Sequence, residues 1–324
     1  MNLYQNISEE DIYTWPNPNF PFKCILNTHK HRVFILSDLT HNYDWLKTAK
    51  IQSKDLFFVA FGWFFSEYLA THAEWMFQKL RLNKAQFYLM YNSEAEKTHG
   101  DKFGFEGSII NNNAWLDERA YSICSRKKIY DALYIARPVT FKRHFLAAKI
   151  SNLALLAGDS CHGGEKASLP QCKNNPFQFL NKRQISEICG QSHCGIILSE
   201  EEGACFASSE YLLCGIPVVS TKSRGGRDLW YNKDNSILCE SNQDAVKEAV
   251  DAVRFKNFNA EDLRRDHINK MHKFRLKFKN VLNKKTLGCA GAADLSLPES
   301  GINWYCNENS AATPHVSELE KYFK

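Results

Sequence analysis

Residues 194–220, CGIILSEEEGACFASSEYLLCGIPVVS, constrain the fold more than any other stretch of the chain. The apolar run at 194–199 reads as a buried strand, and the chain then turns through acidic residues and Gly203. A helix is predicted over 205–214, stopped by Gly215 and by Pro217 just beyond. The β-branched run at 216–220 is the next buried strand. A strand, a helix and a second strand in this order require parallel neighbours in one sheet. The first-turn N–H groups of such a helix have no intrahelical partner and sit at the positive end of its dipole. They favour an anion, typically a phosphate.

The same rhythm recurs along the chain. Residues 1–30, with Pro16, Pro18 and Pro21, read as an irregular lead-in. Strands are predicted at 33–36, 56–61 and 87–91, with helices at 43–50 and from a Ser66 cap to about residue 80. The Gly- and Asn-rich residues 104–119 read as a crossing between domains. Beyond it, strands are expected at 132–136, 153–157, 177–180 and 236–239, and helices at 143–150 and 182–189. Residues 160–175 form a long polar loop. Ala245, Val246, Ala249, Val250 and Val253 give an amphipathic helix. Residues 264–285 predict a base-rich helix with Ile268, Met271, Phe274, Phe278 and Leu282 as its apolar stripe.

A chain of 324 residues holds one large or two modest domains. No apolar run reaches the ~20 residues that span a bilayer, and the start lacks a signal-peptide pattern. The 11 cysteines, scattered mostly singly, read as free cytosolic thiols. A formal charge of +5 does not indicate nucleic acid. The expected location is cytoplasmic, with peripheral membrane contact through the basic helix 264–285 weighed against a solvated helix face.

Chemistry concentrates in two segments. In Tyr134-Ile-Ala-Arg137-Pro-Val-Thr-Phe-Lys142-Arg143 a strand ends and two cations follow. Side chains at the C-terminal ends of parallel strands meet the ligand crevice. A guanidinium fork and an ammonium there suit a diphosphate. In the other segment Glu202 precedes the helix, and Glu210 lies along it, where a carboxylate accepts hydrogen bonds from a diol.

Together these segments resemble the R-x4-K and E-x7-E signatures of retaining, nucleotide-sugar-dependent glycosyltransferases of the GT-B fold (group 1, family 4-like), over residues 109–255. The resemblance implies an α/β protein of two facing Rossmann-like domains with a cleft between them. The small acceptor-side domain would be 1–118, the sugar-nucleotide domain 119–285, and the tail 286–324 would pack back on the first domain. It implies Arg137, Lys142 and Glu202 as catalytic residues, with Gly203, Ala204, Cys205, Glu210, Arg143 and Asn181 on the donor. The donor would be a nucleoside-diphosphate sugar such as a UDP- or GDP-sugar, and the acceptor a glycan or lipid-linked hydroxyl. No cofactor or metal is implied. A degenerate protein that binds sugar nucleotides without turnover is the alternative, and nothing suggests the pyridoxal-phosphate lysine site of a glycan phosphorylase.

His72 shares a helical face with Phe65, Tyr68, Leu69 and Met76, and is weighed as an acceptor-side residue against a packed core histidine. Cys161, His162, Cys172, Cys189 and His193 lack paired zinc-knuckle spacing. Residues 179–181 are the candidate contact for the base. Two departures from the family stand out. The loop Ser37-Asp38-Leu39-Thr40-His41 has no glycine, and Cys205 stands where the family usually has one.

Overall fold

A computed structural model describes residues 7–12, 22–159, 161, 164–175, 180–293 and 295. The chain divides into two compact units. One comprises the described residues up to Asp117 and from Lys273 onward, and the other runs from Glu118 to His272. Residues 273–285, expected in the second domain, therefore group with the first.

The first unit is built on a five-stranded sheet in the order β1-β2-β3-β4-β5. Strand β1 (Phe22–Asn27) is antiparallel to β2 (Arg32–Ser37). Strands β2, β3 (Asp55–Ala60), β4 (Phe87–Tyr91) and β5 (Gly107–Ile109) are parallel. Side chains alternate cleanly between the two faces. Phe34, Leu36, Phe57, Val59, Phe87 and Leu89 pack with Ala70, Ala73, Met76 and Phe77 of helix α2 (Glu67–Leu80). Val33, Ile35, Phe58, Tyr88 and Met90 pack instead with Phe278 and Leu282 near the end of helix α7 (Ala260–Lys285). A sheet covered on both faces explains why these strands are nearly all apolar. Ala290 joins the second face, with Cys289, Ala293 and Leu295 against it.

Several expectations change here. The lead-in contains β1, and the crossing at 104–119 contains β5 and a 3-10 turn, Asn112–Trp115. The helix expected at 43–50 shortens to α1, Tyr43–Leu46. Helix α3 (Glu94–Lys102) is too polar to show an apolar stripe, and rests on a Ser93 cap whose hydroxyl accepts from the Glu96 N–H.

The second unit carries a fully parallel sheet in the order β10-β9-β8-β6-β7. Its strands are β6 (Ala132–Ile135), β7 (Leu153–Leu156), β8 (Gly195–Ile197), β9 (Val218–Thr221) and β10 (Ser236–Cys239). Helices α4 (Lys182–Gln191), α5 (Phe206–Leu213) and α6 (Gln243–Val253) connect or follow them. The chain moves outward from β6 to β7, then reverses and places β8 on the other side of β6. Parallel sheets bind ligands beyond the strand C-termini at such a reversal, here between β6 and β8. The helix expected at 143–150 is instead two 3-10 turns, Thr140–Lys142 and His144–Ala147, because Arg143 between them adopts a left-handed φ of 51°. Of the expected strand 177–180, residues 177–179 lie outside the described residues, and Leu180 is not in a strand.

Helix α7 uses many of its bases internally. Arg264 donates to the carbonyls of Leu213 and Glu118, Arg275 to those of Ala114 and Leu116, and Lys285 pairs with Glu106. Lys273, Lys277, Lys279 and Lys284 are exposed. No helix among the described residues is long and apolar enough to cross a membrane.

Candidate active site

The loop after β6 carries Arg137 and Lys142, and it is fixed by its own main chain. The His144 Nε2–H donates to the Arg137 carbonyl at 2.7 Å, and the Tyr134 hydroxyl donates to the Lys142 carbonyl. Arg143, expected on the donor, ties the loop to the neighbouring strand ends. Its Nε donates to the Leu198 carbonyl at 2.5 Å and its Nη2 to Thr221 Oγ1 at 2.8 Å. The left-handed turn at Arg143 sends its side chain toward β8 and β9 while Lys142 turns to Glu202.

The loop after β8 is held as firmly. Lys142 Nζ lies 2.7 Å from Glu202 Oε2, with both side chains largely buried. Ser199 Oγ donates to Glu202 Oε1. Behind them sits a residue that the motif does not mark, Arg227, which has no exposed surface. Its guanidinium donates to Ser199 Oγ at 2.8 Å, the Ser199 carbonyl at 2.7 Å, the Thr221 carbonyl at 2.8 Å and Ser220 Oγ at 3.1 Å. The Gly226 N–H donates to the Gly203 carbonyl at 3.0 Å. Gly225 lies so close that an added Cβ would fall 1.6 Å from the Glu202 carbonyl oxygen. Glycine is required there by contact with backbone.

Charge in this pocket of side chains is biased toward cations. Burial pushes Glu202 toward the neutral acid, but the Lys142 and Arg227 charges and the hydrogen bonds outweigh it and hold its carboxyl below the usual range. Burial lowers Arg137, with Glu202 acting in the opposite direction. Arg227 stays firmly charged: burial opposes its charge, and Tyr231, Cys205, Glu202 and Asp228 together overcome that cost. Three cations, Arg137, Lys142 and Arg227, thus share two carboxylates, Glu202 and Asp228, at the reversal of strand order. Such an excess favours an anion.

Ala204 and Cys205 are buried, and Cys205 opens α5 with a left-handed φ of 57°. The chain therefore makes here, with a side chain, the backbone shape that glycine adopts freely. Burial pushes the Cys205 thiol up to about 12. Along α5, buried Glu210 accepts from Tyr121 Oη at 2.8 Å and from Lys182 Nζ at 3.2 Å, both at Oε1. Neither partner stood out in the sequence, since each is distant along the chain. Asn181 is used as the cap of α4: its Oδ1 accepts from the Gln184 N–H at 2.9 Å. Of the candidate base contact at 179–181, residue 179 lies outside the described residues.

His72 belongs to the first unit, along α2. It is buried, donates from Nδ1 to the Tyr68 carbonyl at 2.7 Å, and packs on the Tyr68 ring at 3.9 Å between centroids. His162 lies outside the described residues, and among those described no cluster of three His, Cys, Asp or Glu side chains is arranged to hold a metal.

Residues 173–270 match the model of the family described as glycosyl transferases group 1. No curated protein sequence matches the chain significantly. Among solved structures, it resembles sucrose-phosphate synthase from Thermosynechococcus elongatus with a TM-score of 0.56 at 9% identity, over 78% of this chain and 73% of that one. It resembles TarM with a TM-score of 0.54 at 13% identity, over 78% of this chain but only 54% of TarM, so it spans about half of TarM's length. HepE from Anabaena, solved in complex with UDP, gives 0.50 at 12% identity over 71% of this chain and 72% of HepE. The two Rossmann-like parts thus match glycosyltransferase structures of the GT-B fold, and residues 173–270 match the model of the glycosyl transferases group 1.

Proposed function

We propose that the chain is a retaining glycosyltransferase, moving a sugar from a nucleoside-diphosphate sugar to a hydroxyl of a glycan or lipid-linked acceptor. The observation that carries this reading is the cluster of Arg137, Lys142 and Arg227 around Glu202, beside the start of α5, where the strand order reverses. Breaking a sugar–phosphate bond leaves an oxocarbenium-like sugar and adds charge to the departing diphosphate. Cations already in place stabilise that charge more in the transition state than in the ground state. They also supply the positive charge that a divalent metal would otherwise bring, so the reaction proceeds without one.

In this mechanism Arg137 and Lys142 grip the diphosphate, and the N–H groups at the start of α5 complete the cradle. An ammonium has three donors, so Lys142 serves Glu202 and a phosphate oxygen together. Glu202, ionised and braced by Ser199, accepts from the donor sugar's hydroxyls, and Glu210 from the ribose diol. The acceptor attacks on the face that the diphosphate leaves, and a phosphate oxygen takes its proton. Configuration is retained with no enzyme nucleophile.

The test starts with thermal shift against UDP, GDP, ADP and CMP, UDP first because HepE binds it. Sugars on the winning nucleotide are then assayed for diphosphate release without acceptor, and product configuration is read by NMR. Slow release and a retained anomer support the proposal. Nucleotide binding with no release of diphosphate from any donor points to the binding protein instead, and an inverted anomer removes the front-face mechanism.

A further inference from the structure

We infer that Tyr121 and Lys182 are positioning residues that hold Glu210 by one oxygen and aim the other at a nucleotide's ribose. The inference rests on the reading of Glu210 as the ribose carboxylate and extends it to residues outside the motif.

Both hydrogen bonds to Glu210 arrive at Oε1, from Tyr121 Oη at 2.8 Å and Lys182 Nζ at 3.2 Å. Among the described residues Oε2 accepts none, so the carboxylate is anchored at one end and available at the other. The anchors are themselves fixed. Tyr121 is buried, and the Lys182 ammonium sits 5.4 Å from the centre of its ring. Lys182 is the first residue of α4, a helix start held by the reciprocal Asn181–Gln184 cap.

The segment carrying Tyr121 is seated by two glycines. A Cβ at Gly190 would fall 2.3 Å from the Cys124 carbonyl oxygen, and one at Gly215 would fall 2.9 Å from Ile123 Cγ1. The Ser122 N–H also donates to Ser186 Oγ at 3.1 Å. These contacts lay residues 121–124 across α4 and the end of α5, which brings the phenol to Glu210. A second consequence is electrostatic. The Lys182 charge offsets that of Glu210, so the carboxylate meets the ribose without repelling the neighbouring diphosphate.

The probe is the nucleoside diphosphate, among UDP, GDP and ADP, that most stabilises the protein, with its 2′,3′-dideoxy analogue as reference. Affinities of the full chain are measured by calorimetry. The unsubstituted protein should prefer the ribose form by at least tenfold. Tyr121→Phe, which keeps the ring, should cut that preference by about five- to thirtyfold while leaving the dideoxy affinity unchanged, because only the hydrogen bonds to the diol weaken. Lys182→Met should lower the preference and the affinity for both forms. A merely structural role would weaken both forms equally in Tyr121→Phe. An undiminished ribose preference in Tyr121→Phe, or in Lys182→Met should the first variant misfold, overturns the inference while leaving the glycosyltransferase reading intact. Failure of any nucleoside diphosphate to bind the unsubstituted protein overturns both.

Discussion

Both units end their parallel strands in polar residues, yet the two edges are built from opposite materials. In the first unit the edge is closed by amides and acids. Asn42 donates to the Ser37 and Asp38 carbonyls at 3.0 and 2.7 Å, and Asn92 to the Phe61 carbonyl at 3.0 Å. Asn111 donates to the Asn92 carbonyl at 3.0 Å. Asp38 accepts from the Gly62 N–H, and Glu96 from the Phe65 N–H, each at 3.2 Å. In the second unit the corresponding edge presents Arg137, Lys142, Arg143 and Arg227. An amide and acid edge satisfies its own backbone and gives a phosphate no charge to meet. The cationic edge gives it several. The fold is repeated, but the chemistry resides in what each loop adds at the strand ends.

The most severe way to break this contrast is to remove the buried cation. Arg227→Met strips four hydrogen bonds from Ser199, Ser220 and Thr221 and removes one of the charges that keep Glu202 ionised. It should cost about 3–5 kcal/mol of stability, as for other broken buried charge networks. Hydrogen exchange should show the loss in β8 and β9 while β2 to β4 keep their protection. Equal loss in both sheets would mean that the edges are not independent.

Removing Arg137 or Lys142 should instead cost rate. Arg137→Ala should lower donor turnover by about 10²–10³ with the thermal transition nearly unmoved, and Lys142→Ala should lower it as much while also lowering Tm, because it strands the buried Glu202 carboxylate. A large drop in Tm with little change in the turnover of folded protein would reassign them to structure.

The two edges should also respond to pH with opposite sign. Burial pushes Glu96 up to about 7, well above the ordinary carboxylate range. Its folded form therefore binds the proton more tightly, and the first unit should lose up to about 3 kcal/mol as pH rises from 4.5 through 7. Glu202 is depressed, so its contribution is present above the ordinary carboxylate range and is lost as pH falls through its folded value. Site-resolved exchange at pH 5 and 8 reads both slopes, and Glu96→Gln should flatten only the first. The smallest effect concerns Cys205. Replacing it with glycine relieves a left-handed residue and should stabilise by about 1 kcal/mol. A lower Tm in Cys205→Gly would show that packing of the buried thiol outweighs the strain.

How much of this was legible depended on range along the chain. Helix α2 appears as expected from Ser66 to Leu80 because its cap and its stripe are local. The β6 and β8 loops were readable because spacing encodes them. Strand β1 is missed because Pro16, Pro18 and Pro21 precede it and the polar Lys23 and Asn27 interrupt its short apolar run, although its hairpin with β2 is local. The turn at Arg143 escaped because a positive φ in an arginine leaves no mark in composition. Tyr121 and Lys182 take their roles from contacts 89 and 28 positions away, and Arg227 reaches Ser199 28 positions back as well as its near neighbours Ser220 and Thr221, so no local pattern distinguishes them from surface residues.

The route of the chain has a consequence for synthesis. Phe278 and Leu282, which cover Val33, Ile35, Phe58 and Met90, leave the ribosome after the whole of residues 118–272. The unit begun first is thus completed last, and during that interval one face of its sheet is an unshielded apolar surface. Nascent chains halted before residue 278 should recruit chaperones and clump, whereas those released after residue 290 should not.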